Sequence, residues 1–235
     1  MTARIMSTRL RTHASRGKAK ILQGFFKTGP GEYGEGDIFL GVVMPDIRKV
    51  VREFQDAPIS EVMTLLLSTI HEERMLALML LVRRFETGDD VLKKKIYGLY
   101  LKNTKYINNW DLVDATAPNI VGAHLLGRSR RPLYALAKSR ELWKRRIAVL
   151  STFAFIRQKD FADALAIAEI LVKDEHDLIH KAVGWMLREI GKRSLRAEEA
   201  YLRRYCTVMP RTMLRYAIER FPEEKRKKYL NSPHP

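Results

Sequence analysis

The sequence predicts an all-α protein built as a solenoid of stacked helix pairs, and three observations carry that prediction. From Pro45 onward, apolar residues return at three- and four-residue intervals, broken only by short polar, Gly- or Pro-containing joints. No stretch shows the two-residue alternation of a half-buried strand. The segments ERMLALMLLVRRF (from Glu73), KRRIAVLSTFAFI (from Lys144) and IHKAVGWMLREIG (from Ile179) superimpose their apolar positions without gaps. Met75, Arg146 and Lys181 become equivalent, and a step of about 35 residues also lands on Trp110 and Tyr216. Helix pairs at this period mark tetratricopeptide or HEAT-like solenoids; the Trp, Leu-Gly and Tyr pattern of the former is missing, which favours the HEAT-like type. Finally, 43 Lys and Arg against 27 Asp and Glu leave a net charge of +16, and the expected solenoid presents a concave basic face.

Local signals place each element. Residues 1–15 are basic with little apolar periodicity and read as an N-terminal arm or frayed helix, and residues 16–235 as a single HEAT-like domain. A helix from Arg16 carries the stripe Ile21, Leu22, Phe25 and Phe26 and must stop by Gly29-Pro30. The Gly-rich segment that follows, residues 28–37, reads TGPGEYGEGD. It lacks the Lys-Ser or Lys-Thr that closes a P-loop, and no strand precedes it as a dinucleotide fingerprint requires, so it reads as a shaped loop. Pro45 suits the first position of a helix over 46–54, Ser60 suits the cap of a helix to Leu67, and 72–85 is a long apolar helix. Further helices are expected over 90–101, 109–126 with a disturbance at Pro118, 132–137, 142–156, 161–172, 177–190, 197–206, 210–220 and 223–230.

Composition narrows the partners. Apolar residues at 46% place the chain among globular proteins, and a surplus of 16 positive charges calls for a polyanion. Nucleic acid fits best, since neutralising phosphates with Lys and Arg is the main source of such affinity. An anionic membrane fits less well, because no amphipathic tail carries a compact basic cluster. Cys206 is the one cysteine, so an internal disulfide and a thiolate zinc site are ruled out, as suits a reducing cytoplasm. The longest apolar run, 75–82, is too short to span a bilayer, and the N-terminus has no signal-peptide core.

The stretch that carries chemistry is Asn109 to Asp114, Asn-Trp-Asp-Leu-Val-Asp. Trp110 and Asp114 are one helical turn apart, so an indole face and a carboxylate project from the same side, a pair that can hold a positive charge. Stacking the repeats would bring Trp110, Arg146 and Lys181 to the concave face with Asp114 and Trp185 one turn further along. Lys105, Lys144, Arg145, Arg188, Arg211 and Arg215 would surround them, a basic, aromatic-lined surface suited to a duplex. His176 and His180 have the spacing of a helical zinc pair, but Asp177 stands where a catalytic Glu is needed and no third ligand is evident; Asp177 reads as a helix cap, and no metal is expected. Glu72 and Glu73 read as acids placed at a helix start for its dipole.

With NNWDLVD, LWKRRIAVL and HKAVGWMLRE in this order and spacing, the chain from about residue 18 to 230 resembles the AlkD-like DNA alkylation repair glycosylases. The resemblance implies a HEAT-like fold that holds duplex DNA in a concave groove. It also implies excision of cationic N3- and N7-alkylpurines without flipping the base into a pocket, leaving an abasic site. It assigns the catalytic aspartate to Asp114, the sugar-contacting tryptophans to Trp110 and Trp185, and the groove arginine to Arg146. The family's aromatic hydroxyl near the end of the first long helix has no counterpart in Gly24-Phe25-Phe26-Lys27. The expected protein is a monomeric, cofactor-free enzyme of the cytoplasm with no obligate protein partner. The alternatives are a non-catalytic binder of damaged or branched DNA, since fold alone does not confer chemistry, and a solenoid that docks an acidic protein.

Overall fold

Helix follows helix along the chain in the computed structural model, which describes residues 2–231. Among these residues the β-type pairing is one isolated bridge, Ile38 to Ile70. The all-α expectation holds, and the order of elements is that of a helical-repeat solenoid. Contacts cluster in two compact units that divide after Thr116, where the sequence reading placed one continuous domain from residue 16. Each unit is described in turn.

The first unit opens with α1 (Thr2–Arg11), a correction to the expected arm or frayed helix. Ala3, Met6 and Leu10 are spaced to share one helical face and are buried, and α1 packs on α3 (Met44–Glu53) and α4 (Ile59–Leu66). The Arg9 guanidinium grips Glu53 at 2.7 Å, and Ser7 Oγ donates to Glu73 at 2.6 Å. With only three apolar residues among basic ones, the stripe does not stand out in sequence.

Helix α2 (Arg16–Phe25) begins at Arg16 and ends before Gly29-Pro30 as expected. Its apolar stripe does not bury as a set: Phe26, just past the helix, is covered, but Ile21 and Phe25 are 71% and 60% exposed. Pro45 lies in the first turn of α3 as expected, whereas α4 begins behind Pro58 with no side-chain cap from Ser60. Helix α5 (His71–Thr87) is the buried spine, packed on α3, α4 and α6 (Asp90–Lys102). Asp89 caps α6 by accepting from Leu92 N at 2.8 Å. A 3₁₀ turn, Thr104–Tyr106, leads to α7 (Trp110–Ala117).

The disturbance expected at Pro118 is a π-helical segment, Pro118–Gly122, that continues α7 into the short α8 (Ala123–Leu125). The second unit then runs through α9 (Arg131–Ala137), α10 (Leu142–Ser151), α11 (Phe153–Arg157), α12 (Ala162–Ile170), α13 (Asp177–Gly191), α14 (Leu195–Tyr205), α15 (Arg211–Ala217) and α16 (Glu223–Leu230). The expected 142–156 helix is thus split at Thr152. Helix α13 packs on α10, α14 and α15, with α10 in turn on α9. Met75, Arg146 and Lys181, aligned from the repeat, are each the fifth residue of their helix. By the same phase, α7 places Asp114 there and α15 places Arg215, with Trp110 one turn earlier on the same face.

Candidate active site and nucleic-acid interface

Helix α7 starts where it does because its own side chains satisfy its first backbone donors. Asn109 Oδ1 accepts from Trp110 N and Asp111 Oδ1 from Leu112 N, both at 2.8 Å. Long-range groups then fix this helix start. His71, the first residue of α5, donates from Nε2 to Asp111 Oδ2 at 2.8 Å and from Nδ1 to Asp37 Oδ2 at 3.0 Å. With a carboxylate at each nitrogen, the ring is in its doubly protonated form. Burial pulls its pKa down, but the bonds to Asp111 and Asp37 outweigh that and raise it to about 9. Arg74 Nη2 bonds the other Asp37 oxygen at 2.7 Å, so two cations meet two carboxylates; despite burial, His71 and Arg74 hold Asp37 below the usual carboxylate range.

Asp37 closes the Gly-rich loop, which is thereby given a role. Asn109 Nδ2 also reaches Asp37, at 3.5 Å. The loop passes so close that a β-carbon on Gly34 would fall 2.4 Å from the Phe26 carbonyl oxygen. The two acids read as dipole partners do more than that. Glu72 accepts from the backbone of Leu40, Gly41 and Val42, and Glu73 accepts from Ser7, Ser68 and Arg11. These contacts bridge 30 or more residues for Glu72 and are invisible to local pattern reading.

Aromatic rings carry the same framework to Trp110. Its indole, half-buried, stacks on Phe26 at 5.1 Å between centroids and meets Phe25 edge-on at 5.8 Å. Phe26 stacks on Phe39 at 5.0 Å, and Phe39 on the His71 imidazole at 4.4 Å. Asp114, one turn after Trp110, is partly exposed. Burial, with a smaller contribution from the Asp114 charge, raises the pKa of Tyr100, and the Tyr100 hydroxyl bonds Thr116 Oγ1 at 2.9 Å. Beside this framework lies a cavity of about 170 Å³ walled mainly by apolar groups such as Leu22, Phe39 and Ile47. Its polar lining, His71, Glu72 and Asp111, is already committed to the bonds just described.

The other expected site residues fall as follows. Lys105, in the first unit, is exposed with its ammonium 4.8 Å from the Tyr106 ring centre. In the second unit, Arg146 is buried and donates to the Leu178 carbonyl in the first turn of α13. Trp185 is half-buried, its Nε1 3.3 Å from Glu189 Oε1 and its ring 6.2 Å from Phe153. Several expected DNA-contacting cations carry acidic partners: Arg145 with Asp174, Lys144 with Glu141, Lys181 with Asp177 and Arg188 with Glu219. Arg211 is partly exposed and Arg215 exposed on α15. His176, not Asp177, caps α13: its Nδ1 accepts from Leu178 N at 3.1 Å, while Asp177 instead ion-pairs with Lys181. Burial, with Arg145 nearby, lowers the His176 pKa and keeps the ring a neutral acceptor. His180 Nε2 bonds the Asp174 carbonyl.

These features define an all-α, strongly cationic protein with an indole and a carboxylate one turn apart on a braced helix. A family model described as DNA alkylation repair enzyme matches residues 6–221, and the chain belongs to that family. Its fold is similar to that of a solved structure described as a predicted DNA alkylation repair enzyme from Enterococcus faecalis, at a TM-score of 0.68 and 15% identity, over 90% of this chain and 98% of that one. No curated protein matches the sequence significantly. The family gives the chain a role in DNA repair. No helix among the described residues is long and apolar enough to cross a membrane.

Proposed function

We propose that the protein is a monofunctional DNA glycosylase that releases cationic N3- and N7-alkylpurines from duplex DNA and leaves an abasic site. The observation that carries this reading is the pairing of Trp110 and Asp114 on α7, both accessible and both on a helix whose start is held by His71. An alkylated purine of this kind is already positively charged. Its N-glycosidic bond breaks with the electron pair passing to the ring nitrogen, so the base leaves neutral and no general acid is required. Positive charge then builds on the sugar. The Asp114 carboxylate and the Trp110 π-face would stabilise it, water would attack C1′, and Asp114 would orient that water and receive its proton.

The same chemistry supports reaction without extrusion of the base. The polar groups lining the cavity bounded by Phe26, Phe39 and Asp111 are engaged by the protein itself, so that space has no ready donors to read a purine edge. Trp185 would add a second indole contact to the DNA and Arg146 a phosphate contact, as the resemblance implies, while Lys105, Arg211 and Arg215 supply the sequence-independent charge.

The test is release of free base from a duplex carrying a single N7-methylguanine, under single-turnover conditions. Asp114→Asn should bind the duplex as wild type does and release base on the order of 100-fold more slowly. Equal rates would remove Asp114 from the chemistry. Tight duplex binding with no release by wild type would establish the non-catalytic alternative.

A further inference from the structure

Helix α14 presents two unlike sides. At roughly 100° per residue, Glu198, Tyr201 and Leu202 fall on one side, and all three are buried. Arg196, Ala200 and Arg203 fall on the other, with Arg204 at its edge and Thr207 just past the helix end, and all five are exposed. The cations of the second unit expected to meet the substrate duplex lie on other helices, α10, α13 and α15. Among those, Lys144, Arg145, Lys181 and Arg188 each carry an acidic partner. By contrast, no ion pair among the described residues engages Arg196, Arg203 or Arg204. The acid bordering this stripe, Glu199, is taken by Lys225 of α16. Residues 192–231 hold twelve Lys and Arg against five Glu and no Asp, so the field over this end of the chain is strongly positive.

We propose that the outward face of α14 is a second duplex-binding surface, so that one protein molecule holds two DNA segments; this rests on the reading of DNA as substrate. Arg196 and Arg203 are seven residues apart, about 10 Å along the helix, which spans roughly three nucleotides of one strand. Between them Ala200 keeps the stripe low, and the guanidinium groups pair with successive phosphates without reading bases. The chemistry of the stripe selects this occupant. A protein partner needs an apolar core at the centre of its contact, whereas the large apolar residues exposed here, Leu195 and Val208, stand at the two ends of the stripe. A phosphate backbone needs only the charge. Two such surfaces on one molecule let it pass from one DNA segment to another without a free interval in solution.

The experiment mixes two undamaged duplexes, one donor-labelled and one acceptor-labelled, with the full chain at low salt and reads energy transfer between them. Wild type should produce transfer when protein is limiting and lose it when protein is in excess or salt is raised. Arg196→Ala with Arg203→Ala and Arg204→Ala should abolish transfer while changing affinity for a single duplex by less than about twofold and leaving Tm unaltered, because all three side chains are exposed. Base release from the N7-methylguanine duplex should be unaltered in this triple variant. Replacing the same three residues with Lys should restore transfer, since charge is what the surface supplies. Single-duplex binding by wild type without transfer, or transfer that survives the triple Ala variant, overturns the assignment of α14 and leaves the wider reading standing. Failure of wild type to bind any duplex overturns both.

Discussion

His71 Nε2 lies 2.8 Å from the Asp111 carboxylate, joining the first residue of α5 to the first turn of α7 across 40 positions of sequence. The imidazole is 3% exposed and bonded at both nitrogens. Its protonated form is therefore part of the fold.

That relationship sets a pH dependence. The folded pKa, about 9, is above the ordinary value of 6.5, so the stabilisation is complete below about 6.5 and is lost as pH rises through about 9. The full shift corresponds to about 3 kcal/mol. Denaturation midpoints should fall across this window in wild type, and His71→Gln should be less stable at neutral pH with a flatter profile. Parallel profiles for the two proteins would show that His71 is not the titrating group.

Glu198 acts in the same direction in a lower window. It is 1% exposed over the end of α13, where a β-carbon on Gly191 would collide with its carboxylate. Burial, aided by Glu199 and opposed by Arg188 and Lys225, raises its pKa to about 8. The unfolded chain releases this proton near 4.5 and the folded chain retains it to about 8, so stability declines between those values. Glu198→Gln should match wild type near the lower limit and exceed it by at least about 1 kcal/mol above pH 8. A variant less stable at both ends would show that the ionised carboxylate is favourable.

Gly122 ends the π-helical segment against α10. A β-carbon there would fall 2.2 Å from the Ser151 carbonyl oxygen and 2.8 Å from Ala154. Gly122→Ala should lower stability by about 2–4 kcal/mol, read from urea unfolding, despite alanine's better helix propensity. A stabilised variant would mean that the two segments separate at no cost.

Arg146 tests the distinction between structure and contact. Its guanidinium is buried and bonds the Leu178 carbonyl, so Arg146→Ala should cost about 1–3 kcal/mol of stability and lower duplex affinity. At a temperature where the variant is fully folded, an affinity equal to wild type at every salt concentration would leave the residue a purely structural role.

Particular elements show where pattern reading succeeds. Residues 223–230 were expected as a helix and form α16, and the break expected at Pro118 is the π-helical segment. Both follow from signals within a few residues: an acidic first turn behind Pro222, and a proline without an amide hydrogen. Helix α1 was expected only as an arm or frayed helix because its buried set is only Ala3, Met6 and Leu10, a period too sparse to register among basic residues. The stripe on α2 located the helix but not its burial, because apolar spacing identifies a helical face without saying what covers it.

By itself, the sequence determined the all-α class, the helix order, the cationic surplus and the indole–carboxylate pair of Trp110 and Asp114, since each depends on residue type and near-neighbour spacing. Only the tertiary structure decided what braces that pair. His71, Glu72 and Glu73 read locally as a polar helix start, and the Gly-rich loop as a turn. Folding joins them through Asp37, Asp111 and the Leu40–Val42 backbone into a buried, hydrogen-bonded network. The reason is physical: periodicity records which side of a helix is buried, whereas a buried charge is stable only beside partners supplied from distant segments, and chain order carries no trace of that meeting.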